Sequence, residues 1–133
     1  MDKIKFKKLK VTEIKNGNIF HIFKNSKSIK KINEIYCSQI KFGKIKAWKK
    51  HHKTNLKLVV PYGKVKFVIL NKKKFYSIVI GEKNFGLITI PSGCWYGFKG
   101  VNQSKSLIVS FIDHKFSEKE IERKKLKSIK YTW

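Results

Sequence analysis

The chain has 133 residues, 41% of them hydrophobic and 14% aromatic, which suits one domain with a single core and excludes a disordered tail. Its formal charge of +24 comes almost wholly from lysine, with Arg123 the only arginine. Nucleic-acid readers mix in arginine for its planar phosphate- and guanine-gripping fork, so this balance argues against nucleic acid and for a lysine-coated surface that attracts phosphates and acidic glycans.

The predicted elements are short strands. In chain order they are Ile19 to Phe23, Glu34 to Ile40, Lys44 to Trp48, Leu56 to Val60, Lys64 to Leu70, Phe75 to Ile80, Gly86 to Ile90, Trp95 to Phe98 and Leu107 to Ile112. Turn signals separate them, among them Asn16-Gly17-Asn18, Pro61-Tyr62-Gly63 and Pro91-Ser92-Gly93. Lysines and apolar residues alternate in Lys64-Val65-Lys66-Phe67, which puts one face in a core and the other in water. This spacing predicts an all-β sandwich or barrel. Ser117-Glu118-Lys119-Glu120 reads as a capping box and predicts one short C-terminal helix running to about Lys125. The closing Tyr131-Thr132-Trp133 is expected to pack back onto the strands.

Cys37 and Cys94 have no metal-binding spacing and are expected to be free, buried thiols. The N-terminus MDKIKFKKLK lacks an apolar leader, and no stretch approaches ~18 apolar residues. The expectation is a cytoplasmic protein with no membrane partner.

The chemistry lies in Gly43-Lys44-Ile45-Lys46-Ala47-Trp48-Lys49-Lys50-His51-His52, continuing to Leu56 and Gly63. Five residues separate Gly43 from Lys49, and Lys49 stands two before His51. This frame resembles the first motif of cupins, and Pro91-Ser92-Gly93-Cys94-Trp95-Tyr96 resembles the second. Three of the four cupin metal-ligand positions hold Lys49, Leu56 and Tyr96, leaving His51 alone. One imidazole beside an ammonium does not hold a divalent ion, so no metal is expected.

From about residue 10 to 133 the chain resembles the family of dTDP-4-dehydrorhamnose 3,5-epimerases. The resemblance is carried by Ile45 to Thr54, Val60-Pro61-Tyr62-Gly63-Lys64, Ile90-Pro91-Ser92-Gly93, Gly97-Phe98-Lys99-Gly100-Val101 and the terminal Tyr131-Thr132-Trp133. It implies one cupin-type jelly-roll β-barrel domain over residues 1–133, paired as a homodimer in a bacterial cytoplasm. The implied ligand is a nucleoside-diphosphate sugar used in surface polysaccharide synthesis. The implied chemistry is removal of a proton beside the ketone of a 4-keto hexose and its return to the other face, which needs no cofactor.

The departure from the family is at Lys49, where relatives carry the histidine that serves as base. The candidates for the base are therefore His51, which shares a strand face with Lys49, and Lys49 itself, if burial and nearby Lys46, Lys50 and Lys53 lower its pKa. Tyr96 is the candidate acid. Lys46, Trp48, Lys57 and Trp95 are the candidate substrate-binding residues, and Asp113 is a carboxylate that could orient a histidine. His52 is expected to be exposed. The alternative readings are a sugar-nucleotide 3,4-ketoisomerase and a non-catalytic barrel that binds a sugar nucleotide or glycan.

Overall fold

The computed structural model describes residues 3–24, 31–115 and 117–133. The strands are β1 (Lys5–Lys8), β2 (Val11–Thr12), β3 (Ile19–Phe20), β4 (Glu34–Ile40), β5 (Ile45–His51) and β6 (Leu56–Tyr62). They continue with β7 (Lys64–Asn71), β8 (Lys74–Gly81), β9 (Gly86–Ile90), β10 (Trp95–Gly100), β11 (Ser106–Ile112) and β12 (Ile121–Arg123). Two antiparallel sheets result, ordered β1-β9-β6-β11-β4 and β12-β5-β10-β7-β8, with β2 and β3 forming a separate hairpin. The all-β expectation holds. The barrel expectation does not hold in full, because the sheets stay open along their edges. An isolated bridge from Phe42 to Gly100 pins the corner between β4 and β5.

The main core lies between the sheets. Leu56, Leu58, Val60, Ile88, Ile90 and Ile108 from one meet Val65, Phe67, Ile69 and Tyr96 from the other. A second cluster of Val59, Phe85, Leu87 and Phe111 packs with Val11, Phe20 and Phe23 from the N-terminal segment. This explains why Leu58, Val59 and Val60 are all buried in succession: β6 has apolar cover on both faces. No helix among the described residues is long and apolar enough to cross a membrane.

The predicted C-terminal helix is absent. Glu118–Glu120 forms one 3₁₀ turn in which Ser117 makes no side-chain cap, and the chain then extends into β12 against β5. The local capping signal loses because the Glu120 carboxylate has other donors and because pairing with β5 satisfies the backbone of Ile121, Glu122 and Arg123. A second 3₁₀ turn spans Leu126–Ser128. Trp133 does fold back, packing against Trp48 with the rings tilted by 41° and their centroids 5.3 Å apart. Both cysteines are free, but Cys37 is exposed rather than buried, because it sits on the outward phase of edge strand β4.

Two glycines of the sequence frame position the site. Gly93 (φ +87°) donates its N–H to the His51 carbonyl at 2.7 Å, which joins the two motif halves. Gly63 (φ +90°) turns the chain from β6 into β7 directly over Ser106, whose hydroxyl accepts from Lys64 N–H at 3.0 Å. A β-carbon at Gly63 would collide with Ser106 in a backbone conformation that L-residues avoid. Gly63→Ala is therefore expected to cost roughly 3 kcal/mol, read as a lower urea midpoint at unchanged m-value.

Candidate active site

The site is built on β5, and its key local feature is a bulge. β10 pairs Tyr96 with Lys49 and Gly97 with Ala47, so Trp48 is an extra residue in the ladder. Simple alternation from Lys49 would send Lys46 to the opposite face. The bulge instead pairs Lys46 with Phe98, and Tyr96 and Phe98 lie on one face, so Lys46 and Lys49 both reach the inside. Gly97 makes this possible, since a β-carbon there would meet the Ala47 side chain.

The inside is a cavity of about 360 Å³ between the sheets, within the usual range for small-ligand sites. Its apolar wall is Leu56, Leu58, Phe98 and Ile108. Tyr36, Ser38 and Ser110 line it from the β4–β11 side, and Tyr96 from the facing sheet. Its cations are Lys46, Lys49, Arg123 and Lys124, and no described residue lining it is acidic. Trp48 is a buried wall, its indole N–H donating to the Leu126 carbonyl at 3.1 Å and its ring backed by Trp133.

Behind Tyr96 runs a buried relay. Glu120 accepts from the backbone N–H groups of Lys53 and Thr54, both at 2.8 Å, and its other oxygen lies 2.9 Å from His51 Nδ1. Burial pushes the Glu120 carboxyl up. The Thr54 N–H, the His51 ring and the Lys53 N–H outweigh it and bring the pKa down to about 2. The carboxylate is thus ionised, and in the neutral form of the ring it fixes the His51 proton on Nδ1. Nε2 is left to accept from the Tyr96 hydroxyl at 3.1 Å. The Tyr96 oxygen keeps its lone pairs for the cavity that the side chain lines. Burial, above the nearby Tyr36 and Glu120 and against Arg123, raises the Tyr96 pKa, so Tyr96 stays a phenol.

Tyr36 is likewise kept protonated, by burial first, with a Ser110 hydrogen bond opposing and Glu34 adding. Lys49 is lowered from the usual lysine range by burial, then by Arg123 and Lys46, against a smaller pull from Glu118. Arg123, opposite Lys49 on β12, is tied to Glu118 at 3.0 Å.

The structure thus brings His51, Lys49, Tyr96, Lys46 and Trp48 together. It separates Lys57 and Trp95 from them. Lys57 alternates with Leu56 and Leu58, faces away from the cavity and reaches the Thr89 hydroxyl at 3.2 Å. Trp95 alternates with Tyr96 and lies outside the cavity lining, covered by the Lys50 and Lys124 ammonium groups at 4.8 and 4.6 Å. Lys50 is on that outer side too and pairs with Glu122, so it does not act on Lys49 as the sequence suggested. His52 is exposed as expected and also pairs with Glu122. Asp113 contacts the Asn55 N–H and His114 rather than His51.

Sequence reasoning missed Glu120, Tyr36, Ser110 and Arg123. Glu120 was visible but read as a helix cap. Arg123 carried a signal as the lone arginine. Tyr36, Ser38 and Ile40 share one strand phase, and two polar groups beside a buried isoleucine mark a wall that faces a site.

The described residues hold no cluster of three or more His, Cys, Asp or Glu able to bind a metal. The fold is the one adopted by dTDP-4-dehydrorhamnose 3,5-epimerases and sugar 3,4-ketoisomerases. A dTDP sugar isomerase from Desulfovibrio desulfuricans G20 superposes with a TM-score of 0.89 at 24% identity, over 98% of this chain and 90% of its own. The dTDP-4-dehydrorhamnose 3,5-epimerase of Sulfolobus tokodaii gives 0.79 at 19% identity, over 96% of this chain and 85% of its own. In sequence, the chain is 25% identical over 118 residues to the probable low-salt glycan biosynthesis epimerase Agl13 of Haloferax volcanii, 81% of this chain and 76% of that protein. No protein-family model matches the chain. The resemblance read from the sequence is borne out in the fold and in this relative.

Proposed function

We propose that the protein is a sugar-nucleotide isomerase that enolises a 4-keto hexose linked to a nucleoside diphosphate and inverts a carbon beside the ketone. The observation that carries this reading is the Glu120–His51–Tyr96 relay ending at a cation-lined cavity. Similar proteins supply the substrate class: solved structures of this fold hold TDP or TDP-4-keto-6-deoxyglucose.

Proton removal follows from the orientation of the relay. The Tyr96 oxygen accepts the proton from the sugar carbon while its own proton passes to His51 Nε2. Tyr96 is then still a phenol, so the charged phenolate that burial disfavours is avoided. The imidazolium formed sits 2.9 Å from the ionised Glu120. His51 is thus the ultimate base, although it lies one residue behind the cavity wall. The charge developing at the ketone is met by Lys49, flanked by Arg123. Inversion needs a donor on the other face of the sugar, and Tyr36 is a phenol on the opposing sheet.

Arg123 and Lys46 are suited to hold the diphosphate. Arg123→Gln is expected to weaken nucleoside-diphosphate binding about tenfold by calorimetry, with the loss shrinking as salt is raised. The reading also carries a homodimer, checked by light scattering, and a cytoplasmic bacterial setting. Incubation with a nucleoside-diphosphate 4-keto-6-deoxyhexose and NMR of the product tests the activity. A new epimer supports epimerisation, a 3-keto sugar makes the protein a ketoisomerase, and substrate recovered unchanged counts against both.

A further inference from the structure

We propose that Lys49 meets the sugar ketone covalently, as an imine, so that proton removal leaves an enamine rather than an enolate. This inference rests on the reading above and names the chemistry by which that site would work. Three observations support it.

The first is position. Lys49 is the middle of a row across the sheet, with Arg123 opposite it on β12 and Tyr96 opposite it on β10, and all three line the cavity. Side chains directly opposite on neighbouring strands have β-carbons about 5 Å apart. A carbonyl carbon bonded to the Lys49 nitrogen would therefore hold its flanking C–H near the Tyr96 oxygen that begins the relay.

The second is that the other lysines near the cavity are engaged elsewhere. Lys46 Nζ donates to the Gln39 carbonyl at 2.8 Å and is exposed. Lys124 Nζ lies over Trp95. Lys50 Nζ pairs with Glu122 at 3.2 Å on the outer face. Among the described residues Lys49 makes no ion pair.

The third is the electrostatic setting. Attack on a carbonyl needs the neutral amine, and a lysine reaches that state when desolvated or placed beside another cation. The charged and titratable groups around Lys49 are Arg123 and Lys46, which disfavour its charge, Glu118, which favours it weakly, and Tyr96 and Tyr36, which stay neutral phenols.

The steps balance without an oxidant or reductant. The Nζ lone pair adds to the carbonyl carbon, and an amine proton moves to the oxygen. A second proton, from solvent, lets that oxygen leave as water and gives a protonated C=N bond. Tyr96 takes the proton from the flanking carbon and hands its own to His51. The C–H pair becomes a C=C bond, and the C=N pair returns to nitrogen. A proton delivered to the opposite face restores the imine, and the water released earlier hydrolyses it to ketone and amine.

The experiment is reductive trapping. The wild-type protein is incubated with a nucleoside-diphosphate 4-keto-6-deoxyhexose and cyanoborohydride, then read by intact mass and peptide mapping. The expected result is one adduct per chain, a secondary amine on Lys49, with the surface lysines unlabelled. Lys49→Arg, which keeps the charge but cannot form the bond, is expected to lose the adduct and at least 100-fold of the deuterium exchange beside the ketone while still binding nucleoside diphosphate. Wild-type protein that exchanges deuterium but gives no adduct, or spreads it over surface lysines, overturns the imine and leaves the isomerase reading standing. Exchange retained by Lys49→Arg does the same. Wild-type protein that neither binds nor exchanges overturns both. If Lys49→Arg does not fold, the wild-type trapping result still decides.

Discussion

Replacing His51 with alanine is expected to lower solvent exchange at the carbon beside the sugar ketone by about 10²–10⁴-fold, with nucleoside-diphosphate affinity nearly unchanged. The magnitude is that of a lost general base. The unchanged affinity follows from position, since His51 lies behind Tyr96 and does not line the cavity. Without the imidazole, Tyr96 has nowhere to send its proton and would have to leave as a buried anion or not act at all. Tyr96→Phe should produce a loss of similar size, and the double variant should lose little more than either alone, because the two side chains act as one unit. Rate and affinity falling together in His51→Ala would instead mean that the histidine holds the ligand.

The second large effect is on stability and has a defined pH dependence. Glu120→Gln is expected to destabilise the fold by on the order of 2–3 kcal/mol at pH 7. The carboxylate is buried, binds two backbone N–H groups and the His51 ring, and joins the turn at Glu118–Glu120 to the end of β5. A glutamine keeps one acceptor oxygen for three donors. The Glu120 pKa falls to about 2 in the folded protein from an ordinary value of 4.5. Its contribution is therefore fully present above about pH 4.5 and is lost as pH falls toward 2. Urea unfolding of the two proteins should differ most at neutral pH and converge near pH 2 to 3. A difference independent of pH would mean that the residue acts through packing and not through its charge. Exchange activity should fall as well, roughly 10²-fold or more, since His51 loses the group that fixes its tautomer.

Much of the fold was legible because β-alternation and turn chemistry are local. Strands from Glu34 to Ile112 lie within a few residues of their expected bounds, and the frame glycines Gly63 and Gly93 occupy positive-φ turns. The errors arose where a distant partner decides. Ser117 to Glu120 has the pattern of a cap, yet β5 and the donors at Lys53 and Thr54, far off in sequence, claim that segment. The same long-range contact turned Glu120 from a presumed cap into the anchor of His51. Period-2 counting correctly put Lys49 and His51 on one face because both follow the Trp48 bulge. It could not anticipate the bulge itself, which depends on Gly97 lying opposite Ala47. Lys57 and Trp95 were singled out for residue type alone, and their strand phases, Lys57 beside Leu56 and Leu58 and Trp95 beside Tyr96, already pointed them outward.

The central claim is that this cavity makes a C–H bond beside a sugar ketone exchangeable. The most direct measurement is proton NMR of a nucleoside-diphosphate 4-keto-6-deoxyhexose in D₂O with catalytic amounts of the wild-type protein. The account predicts that a proton signal flanking the ketone disappears as deuterium enters, before or along with any new sugar signal, and far faster than in buffer. Saturable binding of the same compound with both flanking signals intact after many hours would contradict it, and would leave a protein that holds the sugar nucleotide without acting on it.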